Sequence, residues 1–209
     1  MILRRPSQTD KEAILDMRMD RRTKLTAKDI VNTYSKEELL RILKEYSDEK
    51  FRLPIVNNIL KYREKKEIET TIELAEIIKS SVPQKVRNKK HPARKTFQAL
   101  RVEVNNELEV LKKALNDALS LLNVGGRLCV ITFQTKEDMI VKKLFNEVSK
   151  EDLITKGDPF ISASFIPKFK KIKRIMPSKK ELEENNRSRS AILRVIERVY
   201  ISEKTKEEI

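Results

Sequence analysis

The chain has 209 residues, enough for one sizeable core or for a modest core beside a small helical domain. It is 37% charged and 39% apolar, no apolar run approaches the roughly 18 residues of a membrane span, and the N-terminus MILRRPSQTDKE lacks the apolar centre of a signal peptide. The formal charge of +14 is concentrated in residues 85–102 (seven basic, no acidic) and 167–200 (eleven basic, four acidic), a distribution suited to a nucleic-acid backbone.

Residues 1–20 carry little order signal before LDMRMD at 15–20, where Arg18 between two acidic residues reads as an ion-paired hinge or a simple surface turn. From Thr26 to Val82 the pattern predicts four short helices. Thr26 with Asp29, Ser35 with Glu38 and Thr70 with Glu73 are capping pairs, each a hydroxyl three residues before a carboxylate. Asp48 is the expected cap of the third helix, which Pro54 should bend or deprive of one hydrogen bond. In the fourth, Ile72, Leu74, Ala75, Ile77 and Ile78 are expected to face inward. Such a module admits a helix-turn-helix DNA reader as a weaker alternative, because its third helix is no more basic than its neighbours.

A basic loop, residues 83–96, carries the lone histidine, His91, in an extended segment before Pro92. Without partner cysteines or histidines it is a poor metal ligand and a better polar contact to RNA, so no metal is expected. Leu100, Val104, Leu108, Leu111, Leu115, Leu119 and Leu122 recur at steps of three and four, predicting one long helix with a single buried stripe. Asn123 and Gly125–Gly126 stop it. RLCVITF then reads as a strand covered on both faces, with Cys129, the sole cysteine, inside the core. One cysteine excludes an internal disulfide and fits a cytoplasmic protein. Thr135 with Asp138 should start another helix that turns Ile140, Val141, Leu144 and Phe145 inward. Helix, strand, helix implies a parallel α/β sheet. Downstream, FIPKFKKIKRIM predicts a strand with Phe169 and Ile172 buried, Ser178 and Glu181 cap a short helix, and AILRVIERVYI is a last strand. These two strands fit the edge of a mixed sheet.

HPARKTFQALRVEVNNEL (91–108), GGRLCVITF (125–133), EDMIVKKLF (137–145) and NNRSRSAILRVIERV (185–199), with LDMRMD and YSKEELLRILKEYSDEKF (34–51) upstream, resemble the MraW/RsmH family. The resemblance is collinear over residues 15–200. It implies a bacterial methyltransferase that uses S-adenosylmethionine to methylate N4 of a cytosine in 16S rRNA of the small ribosomal subunit. The implied fold is α/β, a class I (Rossmann-like) methyltransferase sheet carrying an inserted all-α domain. Residues 1–20 are then a remnant or linker, 21–85 the insertion, 86–201 the C-terminal half of the catalytic domain and 202–209 a tail. The family's glycine-rich turn, the acidic end of its second strand and its Asp-Leu-Gly-Val-Ser-Ser loop precede DMRMD, and the three glycines here (Gly125, Gly126, Gly157) lie far after it. The resemblance therefore implies an N-terminally truncated member without cofactor-binding motifs, whose partners include the missing half as well as rRNA.

Methyl transfer in an intact relative is a direct displacement, in which the protein orients an unstacked base and excludes water. The residues expected to hold RNA are His91, Arg94, Lys95, Gln98 and Arg101 at the helix entry, and Arg187 and Arg189, which retain both arginines of the family's Asn-Pro-Arg-Ser-Arg-Ser. Phe133 and Gln134 are candidates near the target base, at the carboxyl end of the strand where α/β ligands lie. The family has Ser-Phe-His-Ser where this chain has Thr132, Phe133, Gln134 and Thr135, and glutamine does not titrate. No catalytic residue is assigned. The alternative is a non-catalytic remnant that binds RNA or is inactive.

Overall fold

The computed structural model describes residues 13–87, 92–150 and 167–199. It separates into two compact units, residues 1–107 and 108–209. Among the described residues no helix is long and apolar enough to cross a membrane.

The first unit is helical: α1 (Ala27–Thr33), α2 (Lys36–Ser47), α3 (Arg52–Arg63), α4 (Thr71–Ser81), the single turn α5 (Gln84–Arg87) and α6 (Arg94–Val104). Thr26, Ser35 and Thr70 cap α1, α2 and α4 through capping boxes with Asp29, Glu38 and Glu73, as the spacing predicts. Asp48 instead closes α2 from the left-handed region (φ 47°), and α3 starts at Phe51 without a side-chain cap. Pro54 lies in the first turn of α3, where its missing N–H has no intrahelical partner to lose. Leu39, Ile42, Leu43, Ile55, Ile59, Leu74, Ile78 and Leu100 are fully buried in one cluster, whereas Ile72 is 40% exposed rather than inward.

The expected single long helix is two. Asn105 and Asn106 break it, Asn106 adopting a left-handed φ of 48°, a conformation asparagine tolerates. The predicted stripe divides accordingly. Leu100 and Val104 join the first core, while Leu115 and Leu119 belong to the core of the second unit, with Leu111 and Leu122 packed against it.

The second unit runs α7 (Glu107–Leu121), which begins at the unit boundary, then β1 (Arg127–Thr132), α8 (Thr135–Val148), β2 (Phe169–Ile175), α9 (Lys179–Glu184), a 3-10 turn (Asn186–Ser190) and β3 (Ile192–Arg198). It is a mixed α/β unit, but its sheet differs from the parallel one expected. The order is β1-β3-β2 and both pairings are antiparallel, so the last strand lies between the other two. The parallel relation survives only between the non-adjacent β1 and β2.

Gly125 (φ 79°) makes the turn into β1 and donates its N–H to the Arg198 carbonyl at 2.7 Å. A Cβ on Gly126 would meet the Asn123 carbonyl at 2.8 Å, so that position requires glycine as well. Leu128 and Val130 turn to the face covered by Val141 and Phe145 of α8, with Ile196 beside them. The opposite face of β1 is open: Cys129 is exposed and Ile131 is 59% exposed. The strand is covered on one face, not two, and the cysteine is not core. Phe169 packs on the covered face as expected, but a register irregularity between Lys171 and Lys173 takes Ile172 out of alternation and leaves it 40% exposed.

Candidate nucleic-acid interface

In the first unit the expected RNA contacts at the start of α6 separate by what they touch. Lys95 Nζ donates to the Asp48 carbonyl at 2.9 Å, placing a cation at the C-terminal end of α2 where the helix dipole favours it. Gln98 Nε2 reaches the Tyr46 carbonyl at 3.5 Å. Arg101 forms a bidentate pair with Glu107 (2.6 and 2.9 Å). These three act in the fold of the unit. Arg94 is exposed with no acceptor among the described residues, which leaves its guanidinium available to a ligand. His91 lies outside the described residues.

The LDMRMD segment folds into a hook. Arg18 grips Asp16 with two hydrogen bonds (2.6 and 2.9 Å) and donates to the Thr23 carbonyl (2.8 Å), and its guanidinium holds the Asp16 carboxyl below the ordinary carboxylate range. Met17 is held at φ 63°, a costly conformation for a residue with a Cβ. Asn105 sustains it, donating to the Met17 carbonyl (3.0 Å) and accepting from the Met19 N–H (2.7 Å). Sequence reasoning did not single out Asn105. Its only signal was an asparagine within an otherwise apolar-periodic helix.

In the second unit the antiparallel register sets Ile192 opposite Thr132. The turn before β3 therefore lies at the end of the sheet where β1 terminates, bringing Arg187 and Arg189 to the end occupied by Phe133 and Gln134. Within that turn Ser188 is buried, with its hydroxyl donating to the Asn185 carbonyl at 2.8 Å, and Arg187 and Arg189 project to solvent on either side of it. Phe133 is 57% exposed, which removes core packing as its role. Gln134 is the N-cap residue of α8, and Glu137 Oε2 accepts the N–H groups of Phe133 (3.1 Å) and Gln134 (3.2 Å). The helix is thus capped one residue before the predicted Thr135–Asp138 pair. Asp138 is instead paired with Arg194 of β3 (2.7 and 2.9 Å), both side chains largely buried, and the guanidinium holds its carboxyl low. That pair ties α8 to the sheet beside the end of β1, where Thr132 Oγ1 lies 3.5 Å from Asp138 Oδ1.

A family model described as the MraW methylase family matches residues 7–199. The chain belongs to the MraW methylase family. Among curated relatives, Ribosomal RNA small subunit methyltransferase H of Finegoldia magna is 49% identical over 192 residues, covering 90% of this chain and 62% of the relative. Ribosomal RNA small subunit methyltransferase H 2 of Agathobacter rectalis is 50% identical over 190 residues, and the Streptococcus mutans protein 48% over 192; each match covers 90% of this chain and 60% of the relative. The chain thus spans about three fifths of the length of these relatives.

A methylase family implies a methyl donor. A nucleotide-bearing cofactor needs backbone open to close approach. Here Gly125 and Gly126 are consumed by the turn between α7 and β1, and Gly157 lies outside the described residues.

Proposed function

We propose that this chain is the RNA-holding part of an S-adenosylmethionine-dependent methyltransferase that modifies N4 of a cytosine in 16S rRNA, and that methyl transfer requires the full length its relatives span. The collinear match of residues 7–199 to the family carries this reading. In it, residues 21–85 are the inserted domain and 86–201 the second half of the catalytic domain. That division follows ancestry rather than packing, since α6 shares the core of the first unit. The reaction takes place in the cytoplasm on the small ribosomal subunit.

Within this reading Phe133 offers an exposed ring for stacking on the unstacked base, and Gln134 replaces a titratable imidazole by a neutral amide. Arg187 and Arg189 contact backbone phosphates near that base, and Arg94 contacts a phosphate by itself on the first unit. Lys95, Gln98 and Arg101 hold α6, the helix that presents Arg94.

The test is methyl transfer to unmodified small subunits by the chain alone and by the chain mixed with the complementary part of a relative. Transfer only in the mixture is the expected result. No transfer in either, with RNA binding retained, would establish the second reading, a non-catalytic RNA-binding remnant.

A further inference from the structure

The start of α6 is unlike an ordinary helix N-terminus. Its N-cap residue is Ala93, which offers no side-chain acceptor, and the first turn holds Arg94 and Lys95 but no acidic residue. Helix geometry leaves the first N–H groups without intrahelical partners, and no acceptor serves those of Arg94, Lys95 or Thr96 among the described residues. Basic side chains on the positive end of a helix are unfavourable unless an anion sits between them.

A second observation is independent of the helix end. Thr96, the third residue of α6, is 1% exposed, and its Oγ1 is the one buried side-chain polar atom without a hydrogen-bond partner among the described residues. Threonine inside a helix ordinarily donates to the carbonyl one turn back, and this hydroxyl does not. Thr96 lies in the uncapped first turn, and Cα–Cβ bonds of a helix tilt toward its N-terminus. A buried hydroxyl left unpaired there carries a desolvation cost that a ligand oxygen removes.

We propose that the first turn of α6 is a phosphate seat. The backbone N–H groups of Arg94, Lys95 and Thr96 and the Thr96 hydroxyl donate to one phosphate, and the free Arg94 guanidinium closes over it. Lys95 does not take part through its ammonium, which is turned to the Asp48 carbonyl. The proposal rests on the RNA-binding reading for the source of the phosphate, a nucleotide linkage of the rRNA. It does not rest on methyl transfer.

The seat is tested on the full chain with inorganic phosphate, by thermal unfolding at ionic strength matched with chloride. Phosphate raises the wild-type Tm. The rise is weakened at least tenfold in phosphate concentration by Thr96→Val and by Arg94→Gln, and kept by Thr96→Ser. Generic salting effects move all variants together, so equal responses in wild type, T96V and R94Q would overturn the seat and leave Oγ1 to a bound water. Should T96V fold poorly, the exposed R94Q discriminates by itself. A short hairpin of small-subunit rRNA forms the second arm. RNA binding that persists while phosphate responses are indifferent to these variants sinks the seat and spares the RNA reading. A variant-sensitive phosphate response in a chain that binds no RNA does the reverse.

Discussion

In the first unit α1, α2, α3, α4 and α6 turn apolar residues to one interior, where Ile30, Leu43, Ile59, Ile78 and Leu100 are fully buried. In the second unit α8 covers one face of a three-stranded sheet, while Cys129, Ile131 and Phe133 stay exposed. The contrast follows from where each element finds its hydrogen bonds. A helix satisfies its backbone internally and needs only neighbours to cover a stripe. A strand leaves backbone groups open at an edge without a partner, and an antiparallel sheet tolerates one solvated face; β1 has β3 on one side only among the described residues.

The contrast is broken most directly by truncating one isoleucine in each unit. Ile78→Ala, in the closed core, should cost about 3–4 kcal/mol in urea denaturation, within the range for emptied core positions. Ile131→Ala should cost less than about 0.5 kcal/mol, as exposed substitutions do. Comparable losses would mean that the open face of β1 is covered in solution.

A smaller effect probes what holds the half-covered sheet to α8. Arg194→Met removes the partner of a part-buried carboxylate and should cost about 2 kcal/mol, with much of it recovered in Asp138→Leu/Arg194→Met. The folded-state pKa of Asp138 is lowered, so the pair's contribution is present above the ordinary carboxylate value of 3.8 and is lost as pH falls below it. Chemical denaturation of D138N against wild type from pH 7 downward should show the gap closing in that window. A gap independent of pH would remove the charge from the explanation.

A milder loss than that of Arg194→Met is expected at a helix cap of the first unit. Glu73 accepts from the backbone at Glu69 and Thr70 and pairs with Lys66, and these contacts hold its carboxyl down at about 2. Glu73→Gln should cost about 1 kcal/mol at pH 7, the usual worth of a helix cap. The depressed pKa puts this stability above pH 4.5 and removes it as pH falls toward 2, so the two proteins should converge over that interval.

At the candidate interface, residue type and motif proposed Arg94, Arg187, Arg189 and Phe133, and the structure leaves all four exposed. Type and motif did not distinguish Lys95, Gln98 and Arg101, whose partners Asp48, Tyr46 and Glu107 lie up to 52 residues away along the chain. Nor did they reveal Thr96 or Asn105, because an unpaired hydroxyl and a bridging amide are defined only by what surrounds them.

The sequence by itself determined the family, the four hydroxyl caps at Thr26, Ser35, Thr70 and Ser178, and most of the apolar faces of the helices. The caps and faces rest on residues three or four apart. Only the tertiary structure decided that the Leu100–Leu122 stripe serves two cores, that β3 enters between β1 and β2, and that Cys129 faces outward. Each of these depends on pairing across dozens of residues, and an apolar run such as LCVI reads the same with one face covered or two.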